Sequence, residues 1–296
     1  MPDPGPESGG GAAPGRKPAW LKRRLPQGEA YARVQALIAA GRLHTVCQEA
    51  RCPNLWECYA RNTATFLILG DRCTRDCRFC AVGHGAPAPP DPGEPDRVAR
   101  AAAEMGLAYV VLTSVTRDDL ADGGAAHFAA TIAAVRRRLP RARVEVLIPD
   151  FQGNLEALAA VIAAGPDVIN HNVETVPRLY PRVRPQADYR RSLQLLARVA
   201  ASGIPAKSGL MLGLGEDEGE VCTVLEDLRA AGCRILTLGQ YLQPTPAHLP
   251  VVSWVTPEGF EAWRRRALAL GFDEVAAAPL VRSSYHADEC FQALER

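Results

Sequence analysis

The run RCTRDCRFC sets Cys73, Cys77 and Cys80 at C-x3-C-x2-C spacing straight after an apolar segment. Thiolates are soft ligands, and three from one short loop suit three irons of a four-iron cube, leaving the fourth iron open to a small molecule. Zinc sites favour C-x2-C pairs that recur elsewhere in the chain, and a fully ligated cluster takes four cysteines, so the spacing argues against both. The aromatic Phe79 before the last cysteine fits the same pattern. Core packing does not explain three cysteines in eight positions among Arg72, Arg75, Asp76 and Arg78.

A second triple lies upstream, where TVCQEARCPNLWEC gives Cys47, Cys52 and Cys58 at C-x4-C-x5-C. That spacing is too wide for a zinc knuckle and lacks a local fourth ligand, so a distant part of the fold must supply one. Taken alone, this triple could be a metal staple for an N-terminal extension. Two such sites in one chain are the more informative combination.

These residues belong to a wider match. From about Leu43 to Ala287 the chain resembles the lipoyl synthases, carried by CQEARCPNLWEC, ATFLILGDRCTRDCRFCAVG, YVVLTSVTRDDLADGGA, VEVLIPDF, HNVETVPRLY, KSGLMLGLGE, GQYLQPTPAHLPV and VRSSYHA. The resemblance implies a radical S-adenosylmethionine enzyme with two 4Fe-4S clusters that inserts sulfur at C6 and C8 of an octanoyl chain on a carrier lysine. Cys73, Cys77 and Cys80 would hold the cluster that binds and reductively cleaves S-adenosylmethionine, giving methionine and a 5′-deoxyadenosyl radical. Such a radical can attack a methylene that no acid–base pair could activate. The cluster on Cys47, Cys52 and Cys58 would be sacrificed as the sulfur source. Its fourth ligand would be a serine of the RSSY run, which offers Ser283 and Ser284. Ser284 is preferred, and Cys290 is the rival. Serine oxygen is a harder, weaker ligand for iron than a thiolate, so that iron would detach readily. The implied partners are octanoylated carrier domains (E2 subunits and the glycine cleavage H protein), a ferredoxin or flavodoxin as electron donor, and an iron-sulfur carrier protein.

Composition sets independent bounds. A chain of 296 residues with 47% apolar residues can bury one large α/β domain with extensions. A net charge of +1 gives no global field toward nucleic acid, and no apolar run is long enough to span a bilayer. Lys22-Arg23-Arg24, Arg136-Arg137-Arg138 and Arg264-Arg265-Arg266 read as solvated helix faces, the last also as a docking aid for an acidic carrier. Nine cysteines with neither a hydrophobic signal region nor an Arg-rich amphipathic start point to metal chemistry in a cytoplasmic enzyme.

The residues that must position the triples repeat in a regular way. Residues 1–18, rich in Gly, Pro, Ala and Ser, are expected to be an unstructured tail, and residues 19–62 an extension carrying the upstream triple after a helix near 28–40. Strand-like runs at 65–69, 109–112, 144–148, 167–170, 206–212 and 234–238 alternate with helical patterns, with 272–276 a possible seventh. Strand then helix six times means a parallel sheet, and six units are too few for a closed eightfold barrel. The expected fold is therefore an α/β, partial (β/α)6 TIM-like barrel of the radical SAM type over 63–276, with RSSY in a C-terminal extension over 277–296.

Polar residues gather where these strands end: Thr113-Ser114 and Arg117-Asp118-Asp119, His171-Asn172-Val173-Glu174, and Gly213-Leu214-Gly215-Glu216. Thr113, Asn172, Glu174 and Lys207 are the expected contacts to S-adenosylmethionine. Several competing assignments are blander. GLGE is also a common helix entry, Glu174 could pair with Arg178, and His84, His171 and His286 could be structural. Arg182 and Arg184 could clamp a carboxylate but suit surface ion pairs better. Cys222, Cys233 and Cys290 read as small buried hydrophobes. A methylthiotransferase or biotin synthase-like enzyme would lack the upstream triple together with RSSY. An iron-sulfur carrier or zinc-stapled module would leave six strand–helix units unexplained.

Overall fold

A computed structural model of the chain describes residues 17–22 and 29–294. The tail expected over 1–18 therefore lies, for residues 1–16, outside the described residues. Helix α1 (Glu29–Ala40) buries Val34 and Ile38, one turn apart, on a single face. The chain then forms β1 (His44–Thr45), α2 (Val46–Glu49) and α3 (Leu55–Ala60). Thr45 caps α2 by accepting from Gln48 N at 3.3 Å, and its hydroxyl meets that of buried Tyr59 at 2.8 Å, folding α3 back onto β1. Tyr31 of α1 stacks on Trp56 of α3 with ring centroids 4.4 Å apart.

The repeating part begins with β2 (Thr65–Ile68) and continues through a two-strand ribbon in the cysteine loop, β3 (Arg72–Cys73) with β4 (Gly83–His84). It then alternates α4 (Glu94–Glu104), β5 (Tyr109–Ser114), α5 (Ala125–Arg138), β6 (Arg143–Leu147), α6 (Leu155–Ala163) and β7 (Val168–Asn170). The short α7 (Tyr180–Val183) precedes α8 (Tyr189–Ala201), β8 (Ala206–Leu212), α9 (Glu218–Ala230), β9 (Ile235–Gln240), α10 (Pro257–Ala269), β10 (Glu274–Ala277) and α11 (Ala287–Leu294). Local chemistry marks each boundary. Asp188 and Thr256 cap α8 and α10, Asp217 and Glu220 form a reciprocal capping box on α9, and Gly106 and Gly232 end α4 and α9 at φ 69° and 84°.

One eight-stranded sheet runs β1-β2-β5-β6-β7-β8-β9-β10, all parallel except β1 on β2. The six expected strands are present, and the seventh is β10. Every residue of β2 and β9 is buried, as in parallel strands covered by helices. Fully buried Phe128 on α5, worth about 2–3 kcal/mol relative to exposure, is one of many apolar side chains joining helices to sheet. The outer strands β1 and β10 do not pair with each other among the described residues, so the barrel is open. The N-terminal strand β1 has no counterpart in the sequence reading because two residues show no period.

Candidate functional site

The cysteine loop leaves the C-terminal end of β2 through Leu69 (φ 69°) and Gly70 (φ 93°), with Leu69 N donating to Glu94 Oε2 at 2.8 Å. Cys73 Sγ accepts from the backbone N–H of Arg75 (3.4 Å) and of Thr116 (3.3 Å), beyond the end of β5. Cys80 N donates to Cys77 O at 2.9 Å, putting both on one turn, and His248 Nε2 donates to Cys80 O at 3.0 Å. Between the first two cysteines, buried Arg75 forms a two-pronged pair with Asp118 (2.6 and 2.9 Å) and reaches Asp150 Oδ1 at 2.6 Å. Such bidentate geometry fixes a loop far better than a single ion pair. The loop is thus pinned to the ends of three neighbouring strands.

The upstream triple meets the C-terminal run across the open side. Asn54 donates to Leu280 O (2.7 Å), the Tyr285 hydroxyl to Glu57 Oε1 (2.9 Å), and Arg61 to Glu289 Oε1 (3.1 Å) and His286. Buried Cys47 and partly exposed Cys52 and Cys58 therefore share one wall with RSSY. Arg282 of that run is held below its ordinary range by burial, opposed by Cys52 once its thiol is ionised and by the Glu174 carboxylate.

All six of these cysteines, with Ser283 and Ser284, line one cavity of about 1090 Å³. Burial pushes the thiols of Cys47 and Cys80 up to about 12 and those of Cys58 and Cys77 to about 11, and also raises Cys52. These thiols stay protonated unless a metal displaces the proton, which suits ligands better than free nucleophiles. No three His, Cys, Asp or Glu side chains among the described residues converge on a point suited to one metal ion. A cube, which presents each thiolate to a different iron, needs no such point. The soft donor sets and the room between them fit a cluster at each triple.

Unpartnered polar atoms sit between the triples. Asn172 Oδ1, Ser114 Oγ and Arg184 Nε are buried without a hydrogen bond, and all three residues line the cavity. Arg184 donates through Nη1 to Asn172 O (2.8 Å), and its guanidinium lies 5.2 Å from the Tyr180 ring centre. Glu174 has φ 65°, a left-handed conformation rare outside glycine, held by Glu174 N to Gly209 O (3.0 Å) and Met211 N to Glu174 O (2.9 Å). Burial raises its carboxyl, opposed by Arg184, the Asn172 amide and Arg282. Asn172 Nδ2 donates to both Glu174 Oε1 (3.0 Å) and Ser283 Oγ (2.5 Å). Apolar Val111, Leu147, Leu210 and Met211 line the same space.

Not every expected residue arrives there. Thr113 lines the cavity but spends its hydroxyl on Leu147 O (3.0 Å), leaving Ser114 with the open one. Lys207 does not line it: its ammonium is buried 2.8 Å from Glu145 Oε1 within the barrel. Gly213-Leu214-Gly215-Glu216 closes on itself, Glu216 accepting from Gly213 N and Leu214 N, and stays outside the cavity wall. Arg178 pairs with Glu220 at 2.7 Å rather than with Glu174. Arg184, assigned to the surface from sequence, is buried beside the site. His171 is structural, between Ile148 O and the Ser192 hydroxyl (2.9 Å each), and burial brings its pKa down to about 4. Cys290 packs with Val168, Ile235 and Phe291 and does not line the cavity, whereas Ser284 does.

Comparison with known proteins identifies the family and the fold. Residues 67–228 match the family model of the radical SAM superfamily, and residues 10–52 match that described as the N-terminal domain of lipoyl synthase of the same family. The chain is 59% identical over 280 residues to a lipoyl synthase of Methylococcus capsulatus, covering 94% of this chain and 87% of that one. It is 57% identical over 272 residues to one of Oleidesulfovibrio alaskensis, covering 92% and 94%. Among solved structures, methylornithine synthase superposes with a TM-score of 0.55 at 13% identity, over 88% of this chain and 82% of that one. Streptococcus suis SuiB bound to S-adenosylmethionine gives 0.53 at 11% identity, over 73% and 51%. At such identities these two show the fold alone.

Proposed function

The chain belongs to the lipoyl synthase family of the radical S-adenosylmethionine superfamily, and we propose that its two cysteine triples divide that reaction between them. It is an enzyme that inserts sulfur, with S-adenosylmethionine and two 4Fe-4S clusters as its cofactors. Cys73, Cys77 and Cys80 hold the cluster that engages S-adenosylmethionine. When bound, that cluster and S-adenosylmethionine supply, on receipt of one electron, methionine and a 5′-deoxyadenosyl radical.

The chain's own groups bind, orient and shield. Glu174 accepts from the ammonium of the methionine end, and Arg184, its Nε open, faces the carboxylate. Ser114 and Asn172 Oδ1 offer further polar contacts, with Thr113 beside them. The apolar wall of Val111, Leu147, Leu210 and Met211 holds the octanoyl chain and excludes water from the radical. Cys47, Cys52, Cys58 and Ser284 carry the second cluster, which is the sulfur substrate and is consumed at C6 and then C8.

Lipoyl synthase acts on octanoylated carrier proteins, and E2 subunits and the glycine cleavage H protein are the proposed carriers. A ferredoxin or flavodoxin supplies the electron, and an iron-sulfur carrier protein rebuilds the second cluster. The extension, barrel and RSSY segment correspond to residues 19–62, 63–276 and 277–296. Nine free cysteines favour a reducing, cytoplasmic setting. No helix among the described residues is long and apolar enough to cross a membrane.

The observation that carries this reading is the single cavity shared by both triples, Ser284 and Glu174. Reconstituted protein with reductant, S-adenosylmethionine and an octanoyl-lysine peptide should give about one dithiolated product per auxiliary cluster, as for a donor consumed in the chemistry. Product well beyond that ratio without an added cluster source would refute the sacrificial role.

A further inference from the structure

Asn172 stands between the two halves of the site, and its amide nitrogen is fully used. One N–H goes to Glu174 Oε1 at 3.0 Å, and the other to Ser283 Oγ at 2.5 Å. A carboxylate only accepts, so the amide must present its NH2 to Glu174, which fixes its orientation. The flanking backbone has little freedom. Asn172 O is held by Arg184, and Glu174 is tied to β8 through its own N and O. The side chains of Glu174, Asn172 and Ser283 then form a hydrogen-bonded chain from the end of β7 to the RSSY run. Ser283 has its hydroxyl engaged here, and its neighbour Ser284 faces the cavity with no side-chain hydrogen bond among the described residues.

We propose that Ser283 is an anchor rather than a metal ligand, and that the Glu174–Asn172–Ser283 chain couples the S-adenosylmethionine subsite to the Ser284 ligand of the sulfur-donating cluster. This rests on the ligand assignment above. An ammonium on Glu174 fixes that carboxylate, which fixes the Asn172 amide and, through Ser283, the adjoining Ser284. With S-adenosylmethionine bound, Ser284 would be held in place to ligate the auxiliary cluster, and with the subsite empty it would be freer to move. Coupling of this kind is reciprocal, so the Ser283 hydroxyl also strengthens S-adenosylmethionine binding.

The test uses the holoenzyme with both clusters, without reductant so that nothing is cleaved, and follows iron taken up by a chromogenic chelator with and without S-adenosylmethionine. Iron from the auxiliary site is assigned by difference from the Cys47→Ala/Cys52→Ala/Cys58→Ala variant. S-adenosylmethionine should slow auxiliary iron release by about fivefold or more, within the usual range of such couplings. Ser283→Ala should remove that protection and weaken S-adenosylmethionine binding severalfold, and Ser283→Thr, which keeps the hydroxyl, should restore both. Protection that persists in Ser283→Ala, or wild-type release that ignores S-adenosylmethionine, overturns the coupling. If Ser284→Ala released auxiliary iron no faster than wild type, the ligand assignment itself would fall, a result distinct from loss of coupling alone.

Discussion

Arg75 Nη2 and Asp150 Oδ1 meet at 2.6 Å across 75 residues of sequence, fastening the cysteine loop to the end of β6. Asp150→Asn leaves the buried guanidinium partly uncompensated, since only Asp118 remains to neutralise it. The expected loss is about 3 kcal/mol of stability, the cost of breaking a buried pair. S-adenosylmethionine cleavage should fall with it because Cys73 and Cys77 flank Arg75. Denaturant unfolding and a cleavage assay on the folded variant check both, and an unchanged pair of values would contradict the clamp.

Acid should destabilise the protein in two separable windows. Burial holds His171 down to about 4 from an ordinary 6.5, so the unfolded chain binds its proton first. That contribution is fully present above about pH 6.5 and is lost as pH falls toward 4. Burial works to raise Asp150, but the hydrogen bond and charge of Arg75 outweigh it and bring its carboxyl to about 2. Its contribution holds above about 3.8 and is lost as pH falls through 2. Unfolding midpoints against pH for wild type and His171→Gln should differ in slope only in the upper window.

Lys207 and Arg184 should separate stability from binding. Lys207→Met strands Glu145 in the barrel interior and should cost about 3–5 kcal/mol, with no direct effect on S-adenosylmethionine affinity. Arg184→Met should instead weaken S-adenosylmethionine binding tenfold or more, about 1.4 kcal/mol. Calorimetric titration alongside thermal unfolding reads both, and reversed effects would return Lys207 to the cofactor site.

The triples and the strand–helix rhythm were legible because each is local: cysteine spacing lies within one loop, and burial on both faces makes parallel strands continuously apolar. Arg184 and Lys207 were misplaced because burial and partnership depend on tertiary contacts. Nothing near Lys207 in sequence announces Glu145 on a different strand, and YPRVRP looks like surface throughout, although α7 buries Tyr180 and Val183 and leaves Arg184 buried just after it while Arg182 stays exposed. Asp118 and Asp150 gain meaning only once Arg75 lies between them. The resemblance implied a serine of the RSSY run without separating Ser283 from Ser284, and no sequence signal announces that the Asn172 amide donates to the Ser283 hydroxyl.

Ser284→Cys should make the auxiliary site more durable, because a thiolate is a softer ligand for iron than a serine oxygen. Iron release to a chelator should slow, and so should sulfur insertion. Faster insertion in this variant would show that lability at Ser284 is not used.

The division of labour between the triples is tested most directly by two variants assayed side by side for 5′-deoxyadenosine and dithiolated product. Cys77→Ala should abolish both, since it damages the loop that engages S-adenosylmethionine. Cys52→Ala should keep 5′-deoxyadenosine formation while losing all sulfur insertion, because only the donor is damaged. Full sulfur insertion by Cys52→Ala would reduce the upstream triple to a structural staple and contradict the account.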